Sequence, residues 1–316
     1  MKFKKLLISV TLIGSILVGC SGNKTEQTSN ENIETQAEAN EESGENEKVT
    51  EEKKISVASV AISQVLNEMN VDVVGRPTTK LELPEKYISV AEIGSSFSPD
   101  FEKVLAVGTE LLIGDAIFKE KIEESATQYG IETFYVDTST YSNFITSIEE
   151  LGKKIGKEEE ATKLLERLTE PLNNINQIDK DLKVAIIMGS TESNMLATEK
   201  TYIGSLVEVL GVKNIATEII NDGNNPLEVD SSGYVNLNVE QLLKNQPDII
   251  LAFAHGNIEE SKKIFDQLFT ENPVWANLDA VKNNKVHYLD SSIFGTSANI
   301  FIDKALIELG EIFNEE

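Results

Sequence analysis

The sequence predicts an α/β fold of two lobes joined by a single long helix. Three observations carry that prediction. Short apolar strands alternate with amphipathic helices in both halves of the chain, which argues for parallel α/β sheets. A helical stretch from Tyr141 to Ile178, unbroken by any further strand, separates the two halves. The halves also echo each other: "FSPDFEKVLAVGTELLIGD" and "VNLNVEQLLKNQPDIILAF" each read as a short helix bearing a glutamate, a turn and a buried strand.

The elements follow in order. In the N-lobe (55–140), Ile55 and Val57 alternate as in a strand, and "VAISQVLNEM" has helical spacing with Ser59 as its N-cap. "VDVVG" reads as a second strand stopped by Gly75 and Pro77. A short helix after Ser98-Pro99, the strand "TELLIG", a helix ended by Gly130 and the strand "IETFYVD" complete the lobe. The helical connector (141–180) is punctuated by Gly156. Its second helix starts near Glu158, with a kink at Pro171, and spans about 30 Å at 1.5 Å per residue. The C-lobe (181–316) resumes the alternation with "LKVAIIMG" and "MLAT" as strands and "IGSLVEVLG" and "NVEQLLKNQ" as helices. The buried strand "PDIILAFA", the helix "IEESKKIFDQLF", the strand "KVHYLD" and the closing helix "SANIFIDKALIELGEIF" follow.

Residues 1–20 read as a signal peptide: Lys2, Lys4 and Lys5 precede a short apolar run that ends in "LVGC". The small residue before Cys20 resembles the lipobox of bacterial lipoproteins, which implies a mature chain starting at a lipidated Cys20. Cys20 is the sole cysteine, so it has no intramolecular disulfide partner. Residues 21–54 hold no aromatic residue and almost no aliphatic one; they read as a disordered acidic tether reaching roughly 30–35 Å. No other apolar run approaches the length of a bilayer span. The organisation expected is a folded body on a leash, lipid-anchored at the extracytoplasmic face of the cell membrane.

Composition excludes several function classes. The formal net charge of −25 disfavours a nucleic-acid partner, which needs clustered Lys and Arg. There are two arginines, Arg76 and Arg167, too few for the clamps that anionic ferric siderophores need. With two histidines, His255 and His287, a multi-histidine zinc or manganese site is disfavoured. No dinucleotide, P-loop or nucleophile-elbow motif is present, so an enzyme is not expected.

The stretches "VVGRPTT", "LPEKY", "VAEIG", "IIMGSTESNMLATEKTYIGSLV", "FAHG" and "FGTSAN", in that order, resemble the helix-bridged (class III) substrate-binding proteins of ABC importers. Within that class the chain is similar to the haem-receptor lipoproteins of Gram-positive iron-regulated surface systems. The resemblance implies haem, as transported ligand, held between the lobes, with His255 in "AFAHG" as an axial ligand to its iron. In those receptors a methionine follows the "EIG" motif by three residues; here that position is Phe97, which has no lone pair to give iron. Either haem is held by one protein ligand, or another group such as Met195 or Tyr234 takes the sixth place, or the cargo has changed. An aromatic ring at Phe97 would instead pack on the porphyrin face and leave the iron five-coordinate or water-bound. The family binds propionates near the helix start at Val60 and Ala61 and near Thr79 and Lys80. Glu102 and Glu240 occupy matching places in the two half-patterns and are implied to meet arginines of the permease. His287 reads as structural, in an edge-like strand.

The partners implied are haem, the permease with its ATPase, upstream cell-surface haem proteins and, through the lipid, the membrane. The alternatives are a siderophore or cobalamin receptor of the same fold, with Trp275 lining the wall of a corrin site, and a surface lipoprotein without a transport role.

Overall fold

The computed structural model describes residues 53–175, 178–189, 194–221, 228–254, 258–271 and 273–315. The expectations placed on the signal peptide, Cys20, the tether and His255 lie outside the described residues.

The N-lobe is a parallel sheet with helices on both faces. Its elements are β1 (Ile55–Val57), α1 (Val60–Glu68), β2 (Gly75–Arg76), β3 (Ala91–Glu92), β4 (Gly94–Ser95), β5 (Ser98–Pro99), α2 (Phe101–Ala106), β6 (Leu111–Asp115), α3 (Lys119–Tyr129) and β7 (Glu132–Val136). The strand order is β3-β2-β1-β6-β7, every pair parallel, with β4 and β5 as a separate hairpin. Helix α1 buries Ile62, Val65 and Leu66, the i, i+3, i+4 stripe that makes the segment helical.

Two details differ from the sequence expectation. The second strand is Gly75–Arg76 rather than Val71–Gly75. The chain leaves α1 through Asn70 at φ 53°, and Val71 N–H bonds back to the Leu66 carbonyl. Val71 and Val73 are therefore buried in the core without joining the ladder. Ser59 occupies the N-cap position in extended conformation, but its hydroxyl makes no capping bond.

The lobes are linked by α4 (Tyr141–Ile155) and α5 (Glu158–Thr169), with Gly156 in the left-handed conformation that ends α4. Helix α5 stops earlier than expected, and residues 170–173 tighten into a 3-10 turn. Pro171 has no N–H to offer the Arg167 carbonyl, so the α-helical ladder ends there. The regular part of α5, 12 residues, spans about 18 Å rather than 30 Å.

The C-lobe contains β8 (Lys183–Gly189), β9 (Asn194–Ala197), α6 (Tyr202–Val209), β10 (Lys213–Asn214), α7 (Ile215–Ile220), β11 (Tyr234–Asn236), α8 (Val239–Asn245), β12 (Ile249–Ala254), α9 (Ile258–Glu271), α10 (Asp279–Lys282), β13 (Val286–Tyr288), α11 (Ser291–Phe294) and α12 (Ile302–Phe313). Its sheet runs β11-β9-β8-β12-β13, with β10 also on β8. This sheet is mixed: β8, β10, β12 and β13 are parallel, while β9 is antiparallel to β8 and to β11. Helix α12 starts at Ile302, later than expected, because the Asn299 side chain takes the Phe301 N–H and donates to the Ile293 carbonyl, holding 295–300 as a loop.

One buried cluster runs through the whole body. It takes Ile113 from the N-lobe, Phe144 and Leu168 from the linking helices, and Leu206 and Leu251 from the C-lobe. At about 1.5–3 kcal/mol per fully buried aliphatic or aromatic side chain, such continuity makes the link a shared core rather than a tether.

Candidate functional site

In a parallel α/β sheet, ligand-binding loops gather beyond the carboxyl ends of the strands. In the N-lobe those ends lead into the α1 start, the Pro77–Leu81 loop, the β4–β5 hairpin, the turn at Ala116–Phe118, and Asp137–Thr140. The C-lobe meets this edge directly. Ala298 N–H donates to the Thr138 carbonyl at 2.8 Å, tying the loop after α11 to the loop after β7. Tyr141 N–H donates to Ser205 Oγ of α6 at 2.8 Å. Strand β12, whose last residue Ala254 precedes His255, runs parallel to β8, so its carboxyl end lies beside Gly189 at the same end of the C-lobe sheet.

Phe97 sits at the tip of the β4–β5 hairpin and is 54% exposed. Its ring lies 6.4 Å from that of Phe118, tilted by 60°, and neighbouring Ile117 is 72% exposed. The hairpin is fixed by Gly94, at φ 101°, where a Cβ would come within 2.6 Å of the Asp100 backbone nitrogen; Asp100 N–H then closes onto the Ile93 carbonyl. That is the physical reason for glycine in the "EIG" motif. Thr78 N–H donates to the Gly94 carbonyl at 2.7 Å, which sets the Thr79–Lys80 loop beside the hairpin. Lys80 is exposed, and Thr79 Oγ1 accepts from Leu81 N–H. Val60 and Ala61 are partly buried in the first turn of α1, whose N–H groups receive no side-chain cap from Ser59.

Asp115 ends β6 at the same edge. It is buried, accepts from Thr138 Oγ1 at 2.8 Å and from Ile117 N–H at 3.1 Å, and burial raises its carboxyl above the usual range despite those bonds.

Glu102 and Glu240 are both exposed and both follow a capping residue by two positions. Asp100 accepts from Glu102 N–H at 3.1 Å at the start of α2, and Asn238 accepts from Glu240 N–H at 2.9 Å at the start of α8. Helix α2 precedes β6 and α8 precedes β12, and each strand lies between two parallel neighbours. The two glutamates are topological equivalents.

Both arginines are committed to structure. Arg76 donates to the Val90, Pro77 and Ile88 carbonyls and pairs with Glu92 at 3.0 Å. Arg167, on α5, pairs with Asp303 at 2.6 Å and Glu68 at 3.6 Å.

Two sequence expectations are corrected. Tyr234 pairs with Ala197, three positions in from the Gly189 end of β8; it is 4% exposed, and burial pushes its phenol up to about 12, so it does not supply a phenolate at the interlobe edge. Trp275 is 2% exposed in a C-lobe core cluster and lines no cleft. Met195 pairs with Met188 near the correct end of β8, partly buried. The ring partner of Phe97, Phe118, and exposed Ile117 beside it in the chain went unnoticed in the sequence, where they read only as part of a helix.

The surroundings of His287 differ from this edge. A cavity of about 480 Å³ beside it is lined by Glu308, Glu311 and Glu315 as well as Lys262, an acidic setting that repels anions. His287 Nε2 is buried without a hydrogen-bond partner and 3.8 Å from Glu315.

Comparison with known proteins places this geometry. The chain matches the periplasmic binding protein family over residues 55–293. The high-affinity heme uptake system protein IsdE of Staphylococcus aureus strain MRSA252 is 32% identical over 267 residues, covering 83% of this chain and 88% of the relative. An ABC transporter substrate-binding protein from Listeria monocytogenes EGD-e superposes with a TM-score of 0.72 at 32% identity, over 84% of this chain and all of the other. Staphylococcus aureus IsdE complexed with heme gives 0.68 at 31% identity, with the same two coverages. With two helix-linked α/β lobes and relatives of this identity along most of its length, the chain belongs to the periplasmic binding protein family, whose members bind substrates for transport and are not enzymes.

Proposed function

We propose that this protein captures haem between its lobes and delivers it to an ABC importer from a lipid anchor at Cys20 on the extracytoplasmic face of the membrane. The observation that carries the reading is the 31% identity, over all of its chain, to a structure of a haem complex. In this reading His255 supplies an axial ligand to iron, as neutral imidazole does well. Phe97 packs on the opposite porphyrin face, and the α1 start at Val60 and Ala61, with Thr79 and Lys80, receives the propionates. Residues 55–140 and 181–316 act as the two jaws, and 141–180 as their link. Glu102 and Glu240 dock on permease arginines, one per lobe. Among the described residues no helix is long and apolar enough to cross a membrane.

A siderophore cargo is disfavoured because neither arginine is free to clamp an anionic complex. A corrin cargo loses the tryptophan wall that would have argued for it. Titration of the full chain with hemin tests the reading. A saturable one-to-one Soret shift is expected, weakened at least tenfold in His255→Ala. An unchanged titration in that variant would remove His255 from the site.

A further inference from the structure

We propose that the N-lobe side of the site recognises the flat carbon face of a tetrapyrrole and not its metal, so that metal-free protoporphyrin IX is also a ligand of this protein. This rests on the haem reading above.

Phe97 lies against Phe118 at the carboxyl edge of the N-lobe sheet, and Ile117 precedes Phe118 in the turn after β6. Phe97 and Ile117 are more than half exposed, on an edge that the C-lobe meets through the Thr138–Ala298 bond. Large side chains left in water on a built edge mark a surface awaiting a partner. A planar aromatic macrocycle suits them, because a phenyl ring gains both area burial and offset stacking on it.

The same lobe has nothing to offer the metal. Residues 53–140 contain no histidine and no cysteine. Their sole methionine, Met69, is fully buried. Tyr87 is buried and donates to the Val71 carbonyl at 2.6 Å. Tyr129 stacks on Phe101 at the opposite end of α3, and Tyr135 lies under Lys119 against that helix. The carboxylates near the edge are engaged: Glu92 with Arg76 and Thr78, Asp115 with Thr138, Asp100 with the start of α2, Asp137 with Ser139 and Asn143. Iron, when present, is therefore gripped from the C-lobe side alone, and the ring supplies what the N-lobe reads.

The test titrates the full chain with hemin and with protoporphyrin IX, followed by porphyrin absorbance and fluorescence. Protoporphyrin IX is expected to bind saturably at one-to-one stoichiometry. Phe97→Ala should weaken both ligands by a similar factor, about tenfold. Phe97→Met, which adds a thioether, should strengthen hemin relative to protoporphyrin IX. Melting curves check that Phe97→Ala folds, and Ile117→Ala probes the same wall independently. Binding of hemin without saturable binding of protoporphyrin IX overturns this inference and leaves the haem reading standing. Failure of both ligands to bind overturns the haem reading itself. Alanine variants that leave both affinities unchanged overturn the assignment of the wall.

Discussion

His287 carries a measurable signature although it sits outside the cleft. It lies on β13, the edge strand of the C-lobe sheet, and burial holds it below its ordinary pKa of 6.5 against an upward pull from Glu315, with Lys285 adding a lesser lowering. A histidine whose folded pKa is depressed takes its proton in the unfolded chain first. Its stability contribution is present above the unfolded pKa and is lost as pH falls through about 6.5 toward the folded value. His287→Gln removes that loss. Melting temperatures measured at pH 7.5 and 5.5 should therefore fall less in the variant than in the parent. A larger fall in the variant would mean that the attraction to Glu315 outweighs burial.

At the scale of elements, the hairpin that presents Phe97 was illegible in the sequence. Strands of two residues, Gly94–Ser95 and Ser98–Pro99, carry no alternation, and what shapes them is one positive φ and the Asp100–Ile93 bond. Helix α7 and strand β11 escaped for the same reason: six and three residues are too few for periodicity to speak. The long elements were legible because burial imposes their pattern. Strand β12, "IILAFA", is buried at every position between two parallel neighbours, and α12 buries a full stripe from Ile302 to Phe313. The site divides likewise. Phe97 stood out through its motif, whereas Ile117 and Phe118 needed the fold to bring them to it. Gly94→Ala tests this dependence. A Cβ 2.6 Å from a backbone nitrogen at φ 101° is expected to cost roughly 1–3 kcal/mol. It should also displace the hairpin, lowering hemin affinity together with melting temperature. A drop in stability with unchanged affinity would show that hairpin placement does not govern binding.

The whole molecule is organised so that one side chain reports on both jaws. Arg167 reaches from α5 to Glu68 of the N-lobe helix α1 and to Asp303 of the C-lobe helix α12, and also donates to the Ile300 carbonyl. The pairs are partly exposed, so each contributes only about 0–1 kcal/mol. Arg167→Ala should therefore lower stability modestly while broadening the range of lobe separations seen in solution scattering. The continuous buried core limits that freedom, so lobe motion is expected to stay small even in the variant. Rigid lobes give the proposed permease contact its meaning. If the spacing between Glu102 and Glu240 is fixed by the fold, two arginines on a permease can read it as a pair. Each glutamate is exposed on the first turn of its helix, held by Asp100 or Asn238. Reversing either charge, Glu102→Lys or Glu240→Lys, should leave the hemin titration unchanged and reduce cellular haem uptake several-fold. The double reversal should abolish it, because both lobes then repel the permease. Normal uptake in the double variant would remove the docking role, and a loss of hemin affinity in either single variant would move that glutamate into the binding site instead.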